Sequence, residues 1–326
     1  MTFPDLASRR RLLRALGGCV LAPVAGLPGC GWPAGESMRI GTHPWPGYEL
    51  LHLAQALGHL PPDQVRLIET TSASASLRAL SSGSMEGACL TLDEVLTARA
   101  SGVDVVIVAV LDVSLGADAV VARAGLRSRA DLRGQRIGVE HSAVGAVMLD
   151  ALLAASGLSL SDVQPRYVTI DQHEKALLTG EVDALVTYEP VKSRLLQAGA
   201  HELFSSAQVP GRIVDTLAIR RDVLRDHTDA VRALVHGHLV ALQAWQTEPR
   251  RHAAFLAERL GLAPERVASA YAELDLPNAA RNHEWMTGAP APLETSARQL
   301  AAVMVRAGLL ETAPAMGGLL SAAYLP

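Results

Sequence analysis

Several aromatic and acidic side chains of this sequence follow directly after short apolar segments of the kind that form buried strands. The first such segment, Met38–Gly41, leads into a loop that holds His43, Trp45 and Tyr48 between and beside two prolines. The prolines restrict the backbone, so the loop is stiff. Ligands of open α/β sheets bind at the carboxyl ends of strands. Trp45 and Tyr48 are therefore predicted to form a ligand platform, with packing of Trp45 on the core as the alternative.

Carboxylates occupy similar positions further along the chain. Glu140 and Glu189 each follow an apolar strand, where a buried carboxylate costs free energy unless it is paired. Amine, amidine, guanidinium or aminopyrimidine groups would pair with such carboxylates and stack on aromatic rings. Neither Lys nor Arg stands at the strand-end positions, as a sulfonate or nitrate would require. The pattern predicts a small nitrogenous ligand, neutral or cationic, while a structural salt bridge is the alternative for both glutamates.

The predicted ligand contacts all lie at or just beyond strand ends. Helix capping is an equally good explanation for Ser72, Ser142 and Asp93. The complete predicted set is His43, Trp45, Tyr48, Ser72, Thr91, Asp93, Asp112, Ser114, Glu140, Ser142, Val144, Thr187, Tyr188, Glu189 and Asp215.

The elements that position these residues alternate between strands and helices. From Met38 to about 111, apolar runs with strand character are separated by segments with helical periodicity, and the same alternation returns between 135 and 197. The apolar run 103–111 predicts a strand buried on both faces of a parallel sheet. Helices are predicted over 228–247, 249–260, 264–272 and 291–307, with a polar connection around 282–285. The pattern predicts two doubly wound α/β lobes followed by a helical C-terminal extension.

Composition narrows the class of protein. The chain has 326 residues, 49% apolar content and a net charge of −4, which gives no basic surface for nucleic acid. Its three cysteines form no C-x-x-C pair, and Cys89 is predicted to be a small buried residue. His236 and His238 lie two apart on a predicted helix and so point to different faces. No metal site, cofactor or catalytic residue is predicted, and the protein is not expected to be an enzyme.

The N-terminus has the form of an export signal. Four arginines precede an apolar segment that is too short to span a bilayer. Ser8–Leu13 resembles a twin-arginine signal, which a receptor reads. The segment Leu27–Cys30 resembles a bacterial lipobox, so residues 1–30 are predicted to be a signal peptide and Cys30 the lipidated first residue of a membrane-anchored periplasmic or extracytoplasmic protein. Ordinary signal-peptidase cleavage within 31–34 is the alternative.

Five sequence motifs together resemble those of a known family. The motifs are GTHPWPGYELLHLAQALGHL (41–60), TLDE (91–94), SLGADAVVAR (114–123), DLRGQRIGVE (131–140) and GEVDALVTYEP (180–190). Their order is similar to that in the substrate-binding components of ABC importers of the nitrate, sulfonate, taurine and bicarbonate group, which includes pyrimidine-precursor binders.

The resemblance implies a type II periplasmic binding protein fold, with two lobes that close on one ligand. It implies hinge crossings near Ala119–Arg123 and Ile213–Arg220, with lobe one formed by 38–119 plus 218–326 and lobe two by 120–217. It also implies an ABC permease and its ATPase subunits as partners, and a monomer is expected. Two alternatives stay open. One is a ligand-binding sensor subunit for a membrane signalling protein, and the other is an exported enzyme like pyrimidine synthases, whose cysteine-rich motif this chain lacks.

Overall fold

A computed structural model describes residues 37–326 of the chain. The predicted signal peptide and Cys30 lie outside the described residues, so both stay predictions. Within residues 37–326 the strands belong to two separate sheets, each covered by helices. The predicted two-lobed α/β fold is confirmed, and each sheet is the centre of one lobe.

The sheet of lobe one is mixed. Its order is β11-β4-β10-β3-β1-β2. Strands β1, β2 and β3 are parallel, whereas β10 is antiparallel to both of its neighbours. The strands are β1 (Met38–Thr42), β2 (Val65–Glu69), β3 (Gly87–Thr91), β4 (Val105–Ser114), β10 (Val214–Arg220) and β11 (Leu274–Asp275).

Strand β4 is buried along its whole length, as its apolar run predicts. Its pairing differs from the prediction, because both of its partners, β10 and β11, are antiparallel to it. The physical reason is topological. Strand β10 returns from lobe two and enters the sheet in the opposite direction.

The sheet of lobe two has the order β7-β6-β8-β5-β9. Strand β6 is parallel to β7 and β8, and β5 is antiparallel to β8 and β9. Its strands are β5 (Asp118–Ala122), β6 (Arg136–Val139), β7 (Gln164–Tyr167), β8 (Ala184–Tyr188) and β9 (His201–Ser205).

The two crossings lie slightly earlier in the chain than the sequence predicts. Strands β5 and β10, which contain the predicted crossings, each lie within one sheet. The connecting residues are therefore 115–117 and 206–213. At the lobe-one end of both connections, the Ser114 N–H donates a hydrogen bond to the Ile213 carbonyl, 3.0 Å long. The predicted limits of the lobes themselves stay a prediction.

The helices of the described chain pack on both sheets. The predicted helices of the C-terminal extension are present, and α10 replaces the predicted polar connection. The helices are α1 (Pro46–Ala56), α2 (Ala73–Ser81), α3 (Leu92–Ala100), α4 (Ala143–Ser156), α5 (His173–Leu178), α6 (Val191–Gln197), α7 (Thr228–Thr247), α8 (Pro249–Leu260), α9 (Pro264–Ala272), α10 (Ala279–Met286) and α11 (Pro292–Arg306).

Helix α10 is fixed to the sheet of lobe one through a buried amide. Asn282 accepts a hydrogen bond from the Val110 N–H at 2.7 Å and donates to the Val110 carbonyl at 3.0 Å and to the Pro277 carbonyl at 3.1 Å. The residue is fully buried. A polar residue therefore anchors this helix, which explains why an apolar periodicity does not reveal it.

Candidate ligand-binding cleft

The loop after β1 forms one wall of a cleft between the lobes. Trp45 has an extended backbone at the N-cap of α1, and Pro46 occupies the first helical position, where its missing N–H costs nothing. The indole Nε1 of Trp45 donates to Asp112 Oδ2 at 3.0 Å. Tyr48 lies behind this wall, is almost fully buried and donates its hydroxyl to Asp215 Oδ1. The stiff loop therefore presents Trp45 to the cleft, while Tyr48 supports it from the core.

Residues of both lobes line a small cavity in this cleft. Its volume is about 30 Å³, and Trp45 of lobe one and Tyr188 of lobe two meet across it with ring centroids 6.0 Å apart. The lining residues are His43, Trp45, Ala73, Thr91, Glu94, Asp118, Glu140, Ser142, Val144, Tyr188, Ile213 and Asp215.

The lining is strongly acidic. It includes the four carboxyl groups of Glu94, Asp118, Glu140 and Asp215, and it includes neither Lys nor Arg. Burial, together with the charge of Asp93, raises the pKa of Glu94 to about 8, and burial raises the pKa of Asp118 to about 7. Burial also raises the pKa of Glu140. Glu94 therefore holds a proton at neutral pH, whereas Asp118 is close to half-protonated there.

Several buried polar atoms around the cavity have no hydrogen-bond partner within the described residues. They include Thr91 Oγ1, Asp118 Oδ2, Asp215 Oδ2 and Nδ1 of His43. Burial lowers the pKa of His43 to about 4, so its ring is neutral at physiological pH. Because a buried polar atom without a partner is costly, a ligand rich in N–H donors would stabilise the carboxyl and hydroxyl oxygens here.

Lobe two contributes the loop between β6 and α4. Ser142 caps α4 by accepting a hydrogen bond from the Gly145 N–H at 3.2 Å. The turn is tight, because a Cβ atom on Gly145 would lie 2.7 Å from the Glu140 carbonyl oxygen. The backbone of Val144 lowers the pKa of Asp93, which burial raises to about 6. Asp93 belongs to lobe one, so this contact joins the two walls of the cleft.

The structure brings part of the predicted site together at the cavity. The predicted residues that line it are His43, Trp45, Thr91, Glu140, Ser142, Val144, Tyr188 and Asp215.

The other predicted residues do not line the cavity, and most of them have internal partners. Tyr48 lies behind the wall, Ser72 caps α2 at Ala75 N, and Asp93 lies in the first turn of α3. Asp112 accepts from Trp45, and Ser114 is hydrogen-bonded to Ser206 Oγ at 2.7 Å. Thr187 is hydrogen-bonded to His173 Nδ1 at 3.1 Å, and Glu189 accepts from Ser193 Oγ at 2.9 Å.

Sequence reasoning missed four residues of the lining: Ala73, Glu94, Asp118 and Ile213. Glu94 stands beside the predicted Asp93, but the helical turn of α3 directs the second of these acids into the cavity. Asp118 lies inside the apolar run 117–122, and an acid within such a run is the signal that could have identified it. Its N–H donates to Ser114 Oγ at 3.1 Å, next to the crossing.

A buried lysine holds the lobes together beside the crossings. Lys192 Nζ of lobe two donates to the Gly116 carbonyl at 2.9 Å and to Glu273 of lobe one at 2.7 Å. It also pairs with Glu202 at 2.9 Å. The lysine side chain is 1% exposed, whereas Glu273 and Glu202 are about one-third exposed at 33% and 36%. This cluster, which we call the pivot, links the two lobes beside the crossings. The charge of Lys192 also partly offsets the rise that burial causes in the pKa of Asp118.

Residues 37–326 hold no group of three or more His, Cys, Asp or Glu side chains placed to bind a metal ion. They also hold no helix with the length and apolar character needed to cross a bilayer.

The fold and the cleft define a two-lobed ligand-binding protein of the type II periplasmic class. Residues 64–252, more than half of the chain, match the family model described as NMT1/THI5 like. The chain belongs to the NMT1/THI5-like family, which confirms the predicted resemblance.

Solved structures share the fold at low sequence identity. The periplasmic aliphatic sulphonate binding protein of Escherichia coli has a TM-score of 0.72 and 21% identity, over 87% of this chain and 97% of that one. The alkanesulfonate-binding protein of Xanthomonas axonopodis pv. citri, solved with MOPS, has a TM-score of 0.73 and 22% identity, over 89% and 98%. The desulfurization enzyme DSZB has a TM-score of 0.66 and 15% identity, over 89% and 97%. The fold thus accommodates both binding proteins and enzymes.

Sequence relatives match over shorter stretches. An Escherichia coli (strain K12) protein named for binding aliphatic sulfonates is 27% identical over 146 residues, which is 44% of this chain and 46% of that protein. A Brucella abortus binding protein is 27% identical over 122 residues, which is 36% of this chain and 38% of that protein. The chain therefore matches less than half the length of these curated relatives.

Proposed function

We propose that the protein is the extracytoplasmic solute-binding component of an ABC importer, and that it captures a small nitrogenous ligand, neutral or cationic, between its lobes. The observation that carries this proposal is the acidic lining of the cavity. Glu94, Asp118, Glu140 and Asp215 line it without a Lys or Arg among the lining residues. The ligand would then be delivered to a permease with its ATPase subunits.

A protonated nitrogen would satisfy this lining in two ways. Charge-assisted hydrogen bonds to carboxylates are about twice as strong as neutral ones. The indole of Trp45 and the phenol of Tyr188 offer π faces, and a cation over such a face is stabilised by about 0.5–2 kcal/mol. Ligand N–H groups would also give a partner to the free Oδ2 of Asp118.

A sulfonate would meet a less favourable environment. Its oxygens need donors, and the N-terminus of α4 beside Ser142 and Val144 offers some. The carboxyl groups around it would have to stay protonated to avoid repulsion. The ligand proposed for this chain therefore differs in chemical class from the aliphatic sulfonates for which its relatives are named.

Ligand capture would work by a shift of population between open and closed lobes. A ligand favours the closed form only through contacts that the open form lacks. Glu140 and Tyr188 of lobe two face Trp45 and Asp215 of lobe one across the cavity. A ligand that touches both sets stabilises closure, which a permease could then recognise.

The test is isothermal titration calorimetry of the mature protein against two panels. One panel contains small amines, amidines, guanidines and aminopyrimidines, and the other contains taurine, alkanesulfonates and nitrate. Binding confined to the first panel, weakened at least tenfold by Glu140→Gln, supports the proposal. Glu258→Gln, which changes an exposed acid of α8, is the matched control and should bind like wild type. Binding of taurine or nitrate alone would refute it.

The proposed site of action follows from the N-terminal sequence. Export, with the twin-arginine route as our expectation, and lipidation of Cys30 would place the cleft outside the cytoplasm and hold the protein on the membrane. Cys30→Ala should then move the protein from the membrane fraction to the soluble periplasmic fraction. Retention of the variant on membranes would disprove the lipid anchor while leaving the ligand proposal intact.

A further inference from the structure

Two buried carboxyl groups face each other on the strands that lead to the crossings. Asp112 of β4 and Asp215 of β10 are direct partners in the antiparallel register, and they are 0% and 2% exposed. The charge of Asp112 raises the pKa of Asp215, and a hydrogen bond between the two carboxyl groups raises the pKa of Asp215 while lowering that of Asp112. The charge of Asp118 raises the pKa of both. Two adjacent carboxylates in such a site cannot both ionise near neutral pH.

Each carboxyl group holds one aromatic side chain. Asp112 Oδ2 accepts from the Trp45 indole at 3.0 Å, and Asp215 Oδ1 accepts from the Tyr48 hydroxyl. The second oxygen of each group, Asp112 Oδ1 and Asp215 Oδ2, is buried without a donor from the described residues. A single proton held between these two oxygens would satisfy both of them.

The backbone of the first loop rests directly on this pair. A Cβ atom on Gly47 would lie 1.8 Å from Asp112 Oδ2 and 3.2 Å from Trp45 Nε1. Glycine is therefore required at position 47 for Asp112 to reach the indole. Tyr271 fixes the same turn by donating its hydroxyl to the Pro46 carbonyl at 2.6 Å. The position of the Trp45 ring thus depends on where the Asp112 carboxyl group lies.

We propose that Asp112 and Asp215 act as a positioning pair that shares one proton, and that this proton keeps Trp45 and Tyr48 in place on the lobe-one wall of the cleft. The pair acts on the ligand through the two aromatic side chains. This inference concerns the ligand-free protein and does not depend on which ligand the cleft binds.

The surroundings favour retention of the proton. Burial raises the pKa of Asp112 to about 7 and raises the pKa of Asp215 well above its usual range. The titratable groups that face the pair from the packed elements are neutral or acidic. They include Tyr48 of α1, Cys89 of β3, Glu94 of α3, Asp118 of β5, Tyr188 of β8, Tyr271 of α9, Asp275 of β11 and, near Leu111, His238 of α7.

Loss of the shared proton at higher pH leaves two neighbouring carboxylates that repel each other. The Asp112 carboxyl group then moves, and the indole that donates to it moves as well. The emission of Trp45 should therefore show one transition as the pH rises above about 7, the pKa of Asp112, in the ligand-free protein. The emission of the other tryptophans is removed by subtracting the spectrum of Trp45→Phe at each pH.

Asp215→Asn provides the decisive comparison. Its amide nitrogen donates to Asp112 permanently, and its oxygen still accepts from Tyr48, so the pair is satisfied without a titrating proton. We expect this variant to fold, to keep the low-pH emission of Trp45 and to lose the transition. Glu140→Gln, which removes a different buried acid of the cleft, should retain the transition.

Thermal unfolding gives a second readout. The folded pair holds a proton that unfolded aspartates release above about pH 4. Stability therefore falls as the pH rises from about 4 and levels off once the folded pair also loses its proton. Asp215→Asn should show a smaller fall of Tm between about pH 5 and 9 than wild type. A transition that persists unchanged in Asp215→Asn, or that is lost in Glu140→Gln, would overturn the proposal, as would its absence from wild type.

Discussion

Trp45 and Tyr188, which belong to opposite lobes, meet edge to face across the cleft, with ring centroids 6.0 Å apart and ring planes at 73°. The two rings close the cavity from both sides. The contact exists only when the lobes are near each other, so its free energy favours closure and, under the proposed function, ligand binding as well.

Tyr188→Ala should weaken ligand binding about three- to tenfold, since an aromatic pair contributes about 0.5–1.5 kcal/mol beyond its buried area. Tyr188 is half-buried at the end of β8, so the fold should persist. The measurement is calorimetric affinity for whichever ligand the panel identifies. Tyr167→Ala, which changes a tyrosine of the same lobe that is 72% exposed, is the control. Equal affinities for the two variants would contradict a role for Tyr188 in the cleft.

Lys192→Met should lower the free energy of unfolding by about 2–3 kcal/mol. It removes charged hydrogen bonds to Gly116 and Glu273 from a buried position, and such bonds contribute about 1.5–3 kcal/mol. The partial hydration of Glu273 keeps the loss below that of a fully buried pair. Urea unfolding measures the change, with the exposed Lys175→Met as control. A Lys192→Met protein as stable as the control would show that the pivot contributes little.

Asn282→Ala should destabilise the protein by about 2–4 kcal/mol, because it leaves the N–H and carbonyl of Val110 without their side-chain partner. Asn282→Asp retains the acceptor and loses the donor, so it separates the two contributions. Denaturant unfolding of both variants at one pH provides the comparison. A loss below about 0.5 kcal/mol for the alanine variant would mean that α10 is held by other contacts.

Relative to wild type, His238→Leu should be more stable at acid pH than at neutral pH. Burial lowers the pKa of His238 to about 4, against an ordinary value of 6.5, so the folded state resists protonation that the unfolded chain accepts. Stability from this group is present above pH 6.5 and is lost as the pH falls towards 4. At pH 5 the loss is roughly 2 kcal/mol. Thermal unfolding at pH 5 and 7.5 measures the difference between variant and wild type, and His236→Leu is the exposed control on the same helix. A variant whose Tm difference is the same at both pH values would contradict this assignment.

The alternation of strands and helices was predictable because apolar runs determine where elements form, and glycines and prolines determine where they end, through local sequence alone. Trp45 and Glu140 could be placed at the cleft by the same local argument, since each follows a strand of the sheet edge. The antiparallel entry of β10 could not be predicted this way, because it depends on where the chain returns from lobe two. Tyr48 illustrates a similar limit: its direction is set by Asp215, which lies far away in sequence.

Helix α10 and Asp118 escaped prediction for a related reason. The partner of Asn282 is the backbone of β4, so the stabilising contact leaves no periodic apolar signature in the helix itself. Asp118 lies directly before the predicted crossing at Ala119–Arg123, and in the structure it begins a strand at the edge of the cleft. In both cases a polar residue has a tertiary role, which hydrophobic periodicity does not report.

The arrangement of the crossings has a mechanical consequence. Both leave lobe one from the adjacent strands β4 and β10, and they are tied together by the bond between Ser114 and Ile213. Two connections that run side by side and are linked to each other bend more easily about an axis perpendicular to both than they twist or slide. We therefore expect the lobes to close mainly by one rotation, which would bring the cleft walls to the same separation each time. A fixed separation would select ligands by length as well as by charge.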